Sequence, residues 1–262
     1  MTPRGLWSRD MIGWAITAAL LPPAAVVVVE QGAAGVVRMA AVLLVATLWQ
    51  LLFRRLRGVP WSPSGVVLAV SMAVLAPEGL SPGQLALGAS FGIVLADLIF
   101  GGWGRNVVGA APAALAMLFL TWPGGITPGS ETSMALAAVA SALLLAGLGL
   151  LPLLVLLGAV AGAFGTMMLI GAPLDGAVLA GGVTFGLVVL LADPVTAPTT
   201  NTARLAYGLL GGALIALLAG TEGLAGAERA TVFAVLLAQV FAPTFDYAAL
   251  AMKRLARERR HA

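Results

Sequence analysis

Long apolar stretches follow one another along almost the whole chain, and they constrain the fold more than any other feature. Each is 16 to 21 residues long, and polar residues collect in the short segments between them. A helix needs roughly 20 apolar residues to cross a bilayer, and the stretches lack the alternation of a membrane β-barrel. The sequence therefore predicts an all-α polytopic membrane protein with about ten transmembrane helices. The predicted spans are 11–30, 33–53, 62–77, 83–101, 107–122, 134–150, 152–172, 176–192, 205–220 and 230–246.

Composition supports lipid as the solvent and limits the chemistry of the side chains. Only 10% of the 262 residues are charged, whereas a soluble domain has about a quarter. The chain has no cysteine, which excludes thiolate metal sites and cysteine-ligated iron–sulfur clusters, and its single histidine is the second-last residue. Any redox chemistry must therefore come from a bound cofactor. The net charge is only +3 and the basic residues lie at the ends of the spans, which argues against a nucleic-acid binder.

The placement of charge predicts the topology. Ten spans with a cytoplasmic N-terminus put 12 of the 14 basic residues on the cytoplasmic side, as the positive-inside rule requires. Both termini are then cytoplasmic, with a basic tail at 250–262, and no cleavable signal peptide is evident. The expected location is the bacterial inner membrane. The predicted cytoplasmic residues are Arg4, Arg9, Arg54, Arg55, Arg57, Arg105, Arg204, Lys253, Arg254, Arg257, Arg259 and Arg260.

Ten spans divide into two sets of five, and the odd number places the sets in opposite orientations. The sequence thus predicts one integral membrane domain, 1–262, built from inverted repeats over about 11–122 and 134–246. A weak likeness between 62–69 and 174–180 pairs the third span with the eighth. Short, Gly/Pro-interrupted spans at matching places are typical of inverted repeats with a central site.

Two polar segments at predicted cytoplasmic ends are candidate sites. In the turn 101–106 three glycines precede Arg105 and Asn106, an arrangement suited to binding a phosphate or carboxylate, or simply to an ordinary turn. In the block 192–204 an aspartate precedes a run of hydroxyl side chains. At membrane depth such a segment is expected to line a cavity or bind a ligand; the alternative is a solvated cytoplasmic loop. Its candidate residues are Asp193, Thr196, Thr199 and Thr200.

Two further carboxylates lie in or beside spans. Asp97 falls within the fourth span, and a carboxylate inside a span predicts a functional site, here a cation path. Asp246 ends the tenth span near the cytoplasmic interface, where a pairing with Lys253 or Arg254 is the simpler interpretation. The outer loop 124–134 has the composition of any extracytoplasmic turn.

Together these segments resemble the D subunit of Rnf ion-translocating electron-transport complexes and, more distantly, the B subunit of the sodium-translocating NADH:quinone oxidoreductase. The likeness touches both ends and the middle of the chain, and the ordered aspartate–proline–threonine block is its most specific part. It rests on 192–201 with Arg204, Leu205, Tyr207 and Gly208, on 232–238, Ala242, Pro243, Asp246 and Tyr247, and more weakly on 20–22, 67–71, 76–77 and 101–106.

The resemblance implies a flavin. Family members carry FMN, attached through its phosphate to a threonine in an Asp-Gly-x-Ser-Gly-Ala-Thr type motif between the fifth and sixth spans. Here the chain is shorter, and the aspartate and alanine of the motif are missing. Ser130 and Ser133 fit its register and Thr132 is a nearby alternative. Arg105, Asn106 and the hydroxyls of 192–204 are further cofactor-binding candidates, including for a second, non-covalent flavin.

The function implied is that of a membrane subunit of a redox complex that couples electron transfer to Na⁺ or H⁺ movement, with flavin and iron–sulfur subunits as partners. An alternative is a solute channel or transporter of urea- or ammonium-channel-like architecture with no redox role. A third is a scaffold for partner subunits. Visible absorbance separates a flavoprotein from a colourless channel.

Overall fold

The computed structural model describes residues 8–124, 131–171, 181–222 and 226–261, and within these ranges it is helical and has no β-strand. Two of the helices, α4 and α8, each continue as a π-helix. The predicted all-α class is confirmed. The helices are α1 Arg9–Ala19, α2 Leu21–Arg57, α3 Ser64–Leu75, α4 Pro82–Phe91 with its π-helix Gly92–Leu98, α5 Ala110–Thr121, α6 Glu131–Gly147, α7 Leu153–Ile170, α8 Gly181–Phe185 with its π-helix Gly186–Leu191, α9 Asn201–Glu222 and α10 Ala227–His261.

Four helical stretches of the described chain are long and apolar enough to cross a membrane, and shorter apolar helices of 10–17 residues lie between them. This pattern is consistent with a membrane protein. The number of crossings and the inverted repeat remain predictions, and the segment 174–180 that suggested the repeat lies outside the described residues. The four long stretches are Arg9–Arg57, Leu153–Ile170, Asn201–Gly220 and Ala227–Arg254.

The first of these stretches is broken at Gly32, between the first two predicted spans. Gly32 has a φ of 59° and a ψ of −138°, values outside the helical region. A Cβ built on Gly35 would lie 3.0 Å from the carbonyl oxygen of Val27. In a straight helix residues eight apart are about 12 Å apart, so the chain folds sharply at Gly32.

The two π-helices share a sequence pattern. Each begins with a glycine and has Leu-Ala-Asp near its end: 95–97 lies within the first π-helix, and 191–193 starts at the last residue of the second. The wider turn is visible in i→i+5 bonds, from the Ile99 N–H to Val94 O and from the Ala192 N–H to Leu187 O, both at 3.0 Å. π-Helical turns inside α-helices occur frequently at functional sites.

Helices α7 and α9 meet through glycines, in the most extensive helix–helix contact of the described chain. Gly158 and Gly162 on α7 face Gly208 and Gly212 on α9, each pair at Gly-x-x-x-Gly spacing. A Cβ on Gly212 would lie 1.8 Å from Ala159 O, and one on Gly162 would lie 2.2 Å from Leu209 O. The backbones therefore touch directly, as at small-residue interfaces of membrane helices.

Candidate functional site

A small cavity of about 50 Å³ lies beside the second π-helix, which contributes Val188, Val189 and Leu190 to its wall. Its polar wall includes Ser64, Asn106, Ser141, Asp193 and Gln239, among apolar side chains of several helices. Such a volume holds water molecules or a small ion, whereas organic ligands occupy pockets of roughly 300 Å³ or more. Two predicted site residues, Asn106 and Asp193, are thus brought to one cavity that is too small for a flavin ring.

Asp97 lies beside this cavity in a polar cluster inside the bundle. The side chain is fully buried, and its Oδ2 accepts a hydrogen bond from the Ser64 hydroxyl. The Ser62 hydroxyl lies 3.4 Å from the same Oδ2 and 2.6 Å from the Ser64 hydroxyl. Gln50 completes the cluster, its Nε2 donating to Ser62 O at 3.2 Å and to Ser64 Oγ at 3.5 Å.

Two oxygens of the cluster have no hydrogen-bond partner, Asp97 Oδ1 and Gln50 Oε1. Both residues are buried: Asp97 is 0% exposed and Gln50 4%. An unpaired buried acceptor costs about 1–3 kcal/mol, and more when it is charged. The cluster therefore has more acceptors than its own donors satisfy.

Asp193 is held differently, by the turn that follows it. Its Oδ1 accepts from the Val195 N–H at 3.3 Å and its Oδ2 from the Thr196 hydroxyl at 3.0 Å. Burial raises the pKa of Asp193 to about 6, and the negative charge of Asp97 adds a smaller upward contribution that these bonds partly offset. Thr196, predicted as a cofactor contact, is thus a hydrogen-bond donor to Asp193.

Gln239, a residue that the sequence analysis missed, connects the surroundings of the cavity. Its Oε1 accepts from the Gly109 N–H at 2.9 Å, and its Nε2 lies 3.0 Å from Leu190 O and 3.1 Å from Thr196 Oγ1. One side chain of α10 therefore joins the start of α5 to the Asp193 turn. An amide within an apolar stretch was the available signal, because such side chains commonly hydrogen-bond between membrane helices.

The other two candidate threonines of the block, Thr199 and Thr200, bind Asp246. Its carboxylate accepts four hydrogen bonds: from the N–H and hydroxyl of Thr199 at 2.8 and 3.0 Å, and from those of Thr200 at 3.0 Å each. These residues lie just before the first turn of α9, which begins at Asn201. Asp246 thus fixes the start of α9.

The glycine turn after the first π-helix is exposed at Arg105 and partly buried at Asn106. Gly101, Gly102 and Gly104 all have positive φ, which only glycine adopts readily. Asn106 stabilises the turn locally, with its Oδ1 accepting from the Gly104 N–H at 3.1 Å and its Nδ2 donating to Val108 O at 3.0 Å. Arg105 and Arg57 line a surface recess of about 380 Å³.

The predicted flavin-attachment residues lie away from the cavity. Thr132 is exposed in the first turn of α6, and the Ser133 hydroxyl donates to the Glu30 carboxylate. Ser133 is eight residues before Ser141 of the cavity wall, about 12 Å along the helix. Ser130 lies outside the described residues.

Comparison with known proteins gives one family. The profile described as "NQR2, RnfD, RnfE family" matches residues 7–133 and 128–253. Together the two matches include nearly the whole chain, with the cavity and both π-helices.

Curated relatives named as the B subunit of Na(+)-translocating NADH-quinone reductase are similar over most of this chain. The protein of Haemophilus influenzae (strain PittEE) is 29% identical over 266 residues, and that of Klebsiella pneumoniae (strain 342) is 28% identical over 270. That of Pseudoalteromonas atlantica is 28% identical over 267 residues. Each match covers 79% of this chain but only 64% of the relative. The chain therefore spans less than two thirds of these relatives' length.

Proposed function

The chain belongs to the NQR2, RnfD, RnfE family, and from this premise we propose that it is a membrane component of an ion-translocating electron-transport complex. The observation that carries the proposal is the family match over 7–133 and 128–253. The curated relatives bear the name of one component of a Na⁺-translocating NADH-quinone reductase. We propose redox subunits carrying flavin and iron–sulfur groups as its partners, because this chain has no cysteine or interior histidine with which to hold a cluster itself.

The proposed architecture is a single ten-span domain of two inverted five-helix repeats, with both termini in the cytoplasm of a bacterial inner membrane. The apolar helices and the basic end of α10 support it. The cavity has Asp193 in its wall together with Ser64, the hydrogen-bond partner of Asp97, and acidic groups so placed are what an ion pathway needs within apolar surroundings.

We propose Thr132 as the attachment point of FMN, which would supply electron transfer when bound. Its hydroxyl is exposed, whereas that of Ser133 is engaged with Glu30. The first turn of a helix favours a phosphate, since its N–H groups and dipole are positive. The nearby carboxylates of Glu30 and Glu131 act against this preference. A flavin attached to this exposed residue would lie outside the small cavity.

The test is purification of the tagged full chain from cells that also express its genomic neighbours and a flavin transferase. We expect a coloured, multi-subunit preparation and a fluorescent band on a denaturing gel. Peptide mass mapping should find an FMN-mass adduct on the peptide that holds Thr132. Thr132→Ala should lose the adduct and Ser133→Ala, the matched control, should keep it.

A colourless protein that purifies alone and releases no flavin in acid would overturn the redox proposal. If that protein conducts urea or ammonium in liposomes, the channel interpretation replaces it. An adduct on Ser133 or Ser130 would keep the function but correct the attachment site.

A further inference from the structure

We propose that Asp97, Ser62, Ser64 and Gln50 form a binding site for one dehydrated Na⁺ ion inside the helix bundle. The inference rests on the proposed ion-translocating function and gives it a specific location. Three separate elements supply the site: α2 provides Gln50, the start of α3 with the residues before it provides the serines, and the π-helix provides Asp97.

The donor atoms suit a hard monovalent cation. All are oxygens: the carboxylate of Asp97, the hydroxyls of Ser62 and Ser64, and the amide oxygen of Gln50. Hard cations prefer such ligands, and one carboxylate neutralises one positive charge. Divalent sites usually gather more carboxylates, and the described part of the chain has no cluster of three or more acidic, histidine or cysteine residues that could hold a metal ion.

The unpartnered oxygens point independently to a ligand. Asp97 Oδ1 and Gln50 Oε1 belong to side chains whose other polar atoms already bond the serine hydroxyls. The two hydroxyls cannot satisfy both oxygens, because one of their two protons goes to Asp97 Oδ2. A cation bound between the oxygens would relieve both unpaired acceptors and the buried negative charge together.

The cluster adjoins the small cavity. Ser64 belongs both to the cluster and to the wall of the 50 Å³ cavity, whose polar wall also includes Asn106, Asp193 and Gln239. A cavity of that size holds one or a few waters, enough for a partly hydrated ion. A cation could therefore exchange its water shell for the oxygens of the cluster at Ser64.

Two charged groups act on the Asp97 carboxylate electrostatically. The negative charge of Asp193 is close enough for the two carboxylates to repel each other, and it adds to the attraction for a cation. The positive charge of Arg9 attracts the carboxylate. Its Nη2, however, donates a hydrogen bond to Trp103 O at 2.7 Å, and its Cζ lies 5.9 Å from the centre of the Trp103 ring. The guanidinium is thus a distant counter-charge that leaves the Asp97 oxygen open to a ligand.

The experiment is thermal unfolding of the full chain in lipid nanodiscs, titrated with NaCl against N-methyl-D-glucamine chloride at constant ionic strength. Wild type should gain thermal stability with Na⁺, and KCl should give a smaller gain. Ser64→Ala should weaken the apparent Na⁺ affinity about tenfold, which is the effect of about 1.4 kcal/mol. Asp97→Asn should abolish the response.

The matched control is Ser71→Ala, which removes another buried hydroxyl of α3 two turns from Ser64. It should keep the wild-type Na⁺ response. A wild-type protein indifferent to Na⁺, or Asp97→Asn and Ser64→Ala variants that both respond like wild type, would overturn the site. If Asp97→Asn fails to fold, Ser64→Ala and ²³Na NMR line broadening of the wild type decide the question.

Flavin content measured on the same samples separates this inference from the function on which it rests. A flavin-bearing chain without a Na⁺ response would reject the ion site alone. A colourless chain with an Asp97-dependent Na⁺ response would reject the redox role and retain the ion site.

Discussion

Asp97 and Asp193 end the same three-residue sequence in or after a π-helix, yet their surroundings are opposite. Asp193 is satisfied by residues two and three positions further along the chain, Val195 and Thr196. Asp97 depends on Ser62 and Ser64, more than 30 residues earlier in the sequence, and keeps one oxygen without a partner.

The difference separates a carboxylate that stabilises a turn from one that is available to a ligand. The bonds to Val195 and Thr196 form whenever the turn forms, so both carboxylate oxygens of Asp193 already have hydrogen-bond partners. Unsatisfied buried acceptors persist only where something else is gained, commonly a function. Similar sequence around two acidic residues thus does not establish a similar role.

The largest effect is expected from a variant that disrupts the contact between α7 and α9, the helix that follows the Asp193 block. Gly212→Val places side-chain atoms where a Cβ already lies 1.8 Å from Ala159 O, so α7 and α9 must separate. We expect a loss of about 3 kcal/mol or more in the free energy of unfolding, at the upper end of overpacking effects. Thermal unfolding in nanodiscs measures it. The matched control is Gly165→Val on α7, where a Cβ meets no atom within 4 Å; equal losses in the two variants would contradict the glycine contact.

A smaller effect should follow when the link between the start of α5 and the Asp193 turn is cut. Gln239→Leu leaves the Gly109 N–H, Leu190 O and the Thr196 hydroxyl without their partner. Bonds between membrane helices contribute about 0.6 kcal/mol each on average, so we expect a loss of about 2 kcal/mol.

Gln31→Leu is the comparison for this variant, because Gln31 makes a single bond, to Ala73 O at 3.1 Å. Its loss should be about a third as large. The bridging role of Gln239 fails if chemical denaturation gives the same stability for both variants.

The smallest expected effect is the pH dependence of the free energy of unfolding that is linked to Asp193. The folded pKa of Asp193 is about 6, above its ordinary value of 3.8, so the folded state binds more protons between these values. Stability linked to Asp193 is therefore full below about pH 4 and falls as the pH rises through 6. We expect this fall to be about 1–2 kcal/mol, reduced from the full linkage because Asp193 is only partly buried. Asp193→Asn should remove it, measured as unfolding free energy against pH.

Asp193→Asn should keep a Na⁺ response with a somewhat weaker apparent affinity, because it removes a nearby negative charge, whereas Asp97→Asn should lose the response. An Asp193 variant that lost the Na⁺ response while its pH profile stayed unchanged would reverse the assigned roles.

Sequence reasoning located the elements well where apolar runs end at proline or glycine. The predicted span 62–77 corresponds to α3, Ser64–Leu75. The predicted span 83–101 corresponds to α4 and its π-helix, which together cover Pro82–Leu98. Burial of Asp97 followed from its position inside such a run. These features depend on residues close together in the chain, which is why periodicity and hydropathy are informative about them.

The hydrogen-bond partners of the carboxylates were harder to predict from the sequence. Ser64 and Asp97 are 33 residues apart, and Thr199 and Asp246 are 47 apart, so each contact depends on how helices pack. The π-helices also escaped prediction, because one extra residue per turn leaves no mark in hydropathy. Gln50 and Gln239 were missed although each is an amide in an apolar stretch, a pattern that indicates a contact between helices.

The extra residue in the π-helix that carries Asp97 has a consequence for movement. A π-turn contains one residue more than an α-turn, and each residue of a helix advances the side-chain direction by about 100°. If the surplus residue shifts along the segment past Asp97, the carboxylate turns through about that angle while both ends of the helix stay in place. Such a rotation would present the same acidic group to two different environments in alternation without any tilting of helices.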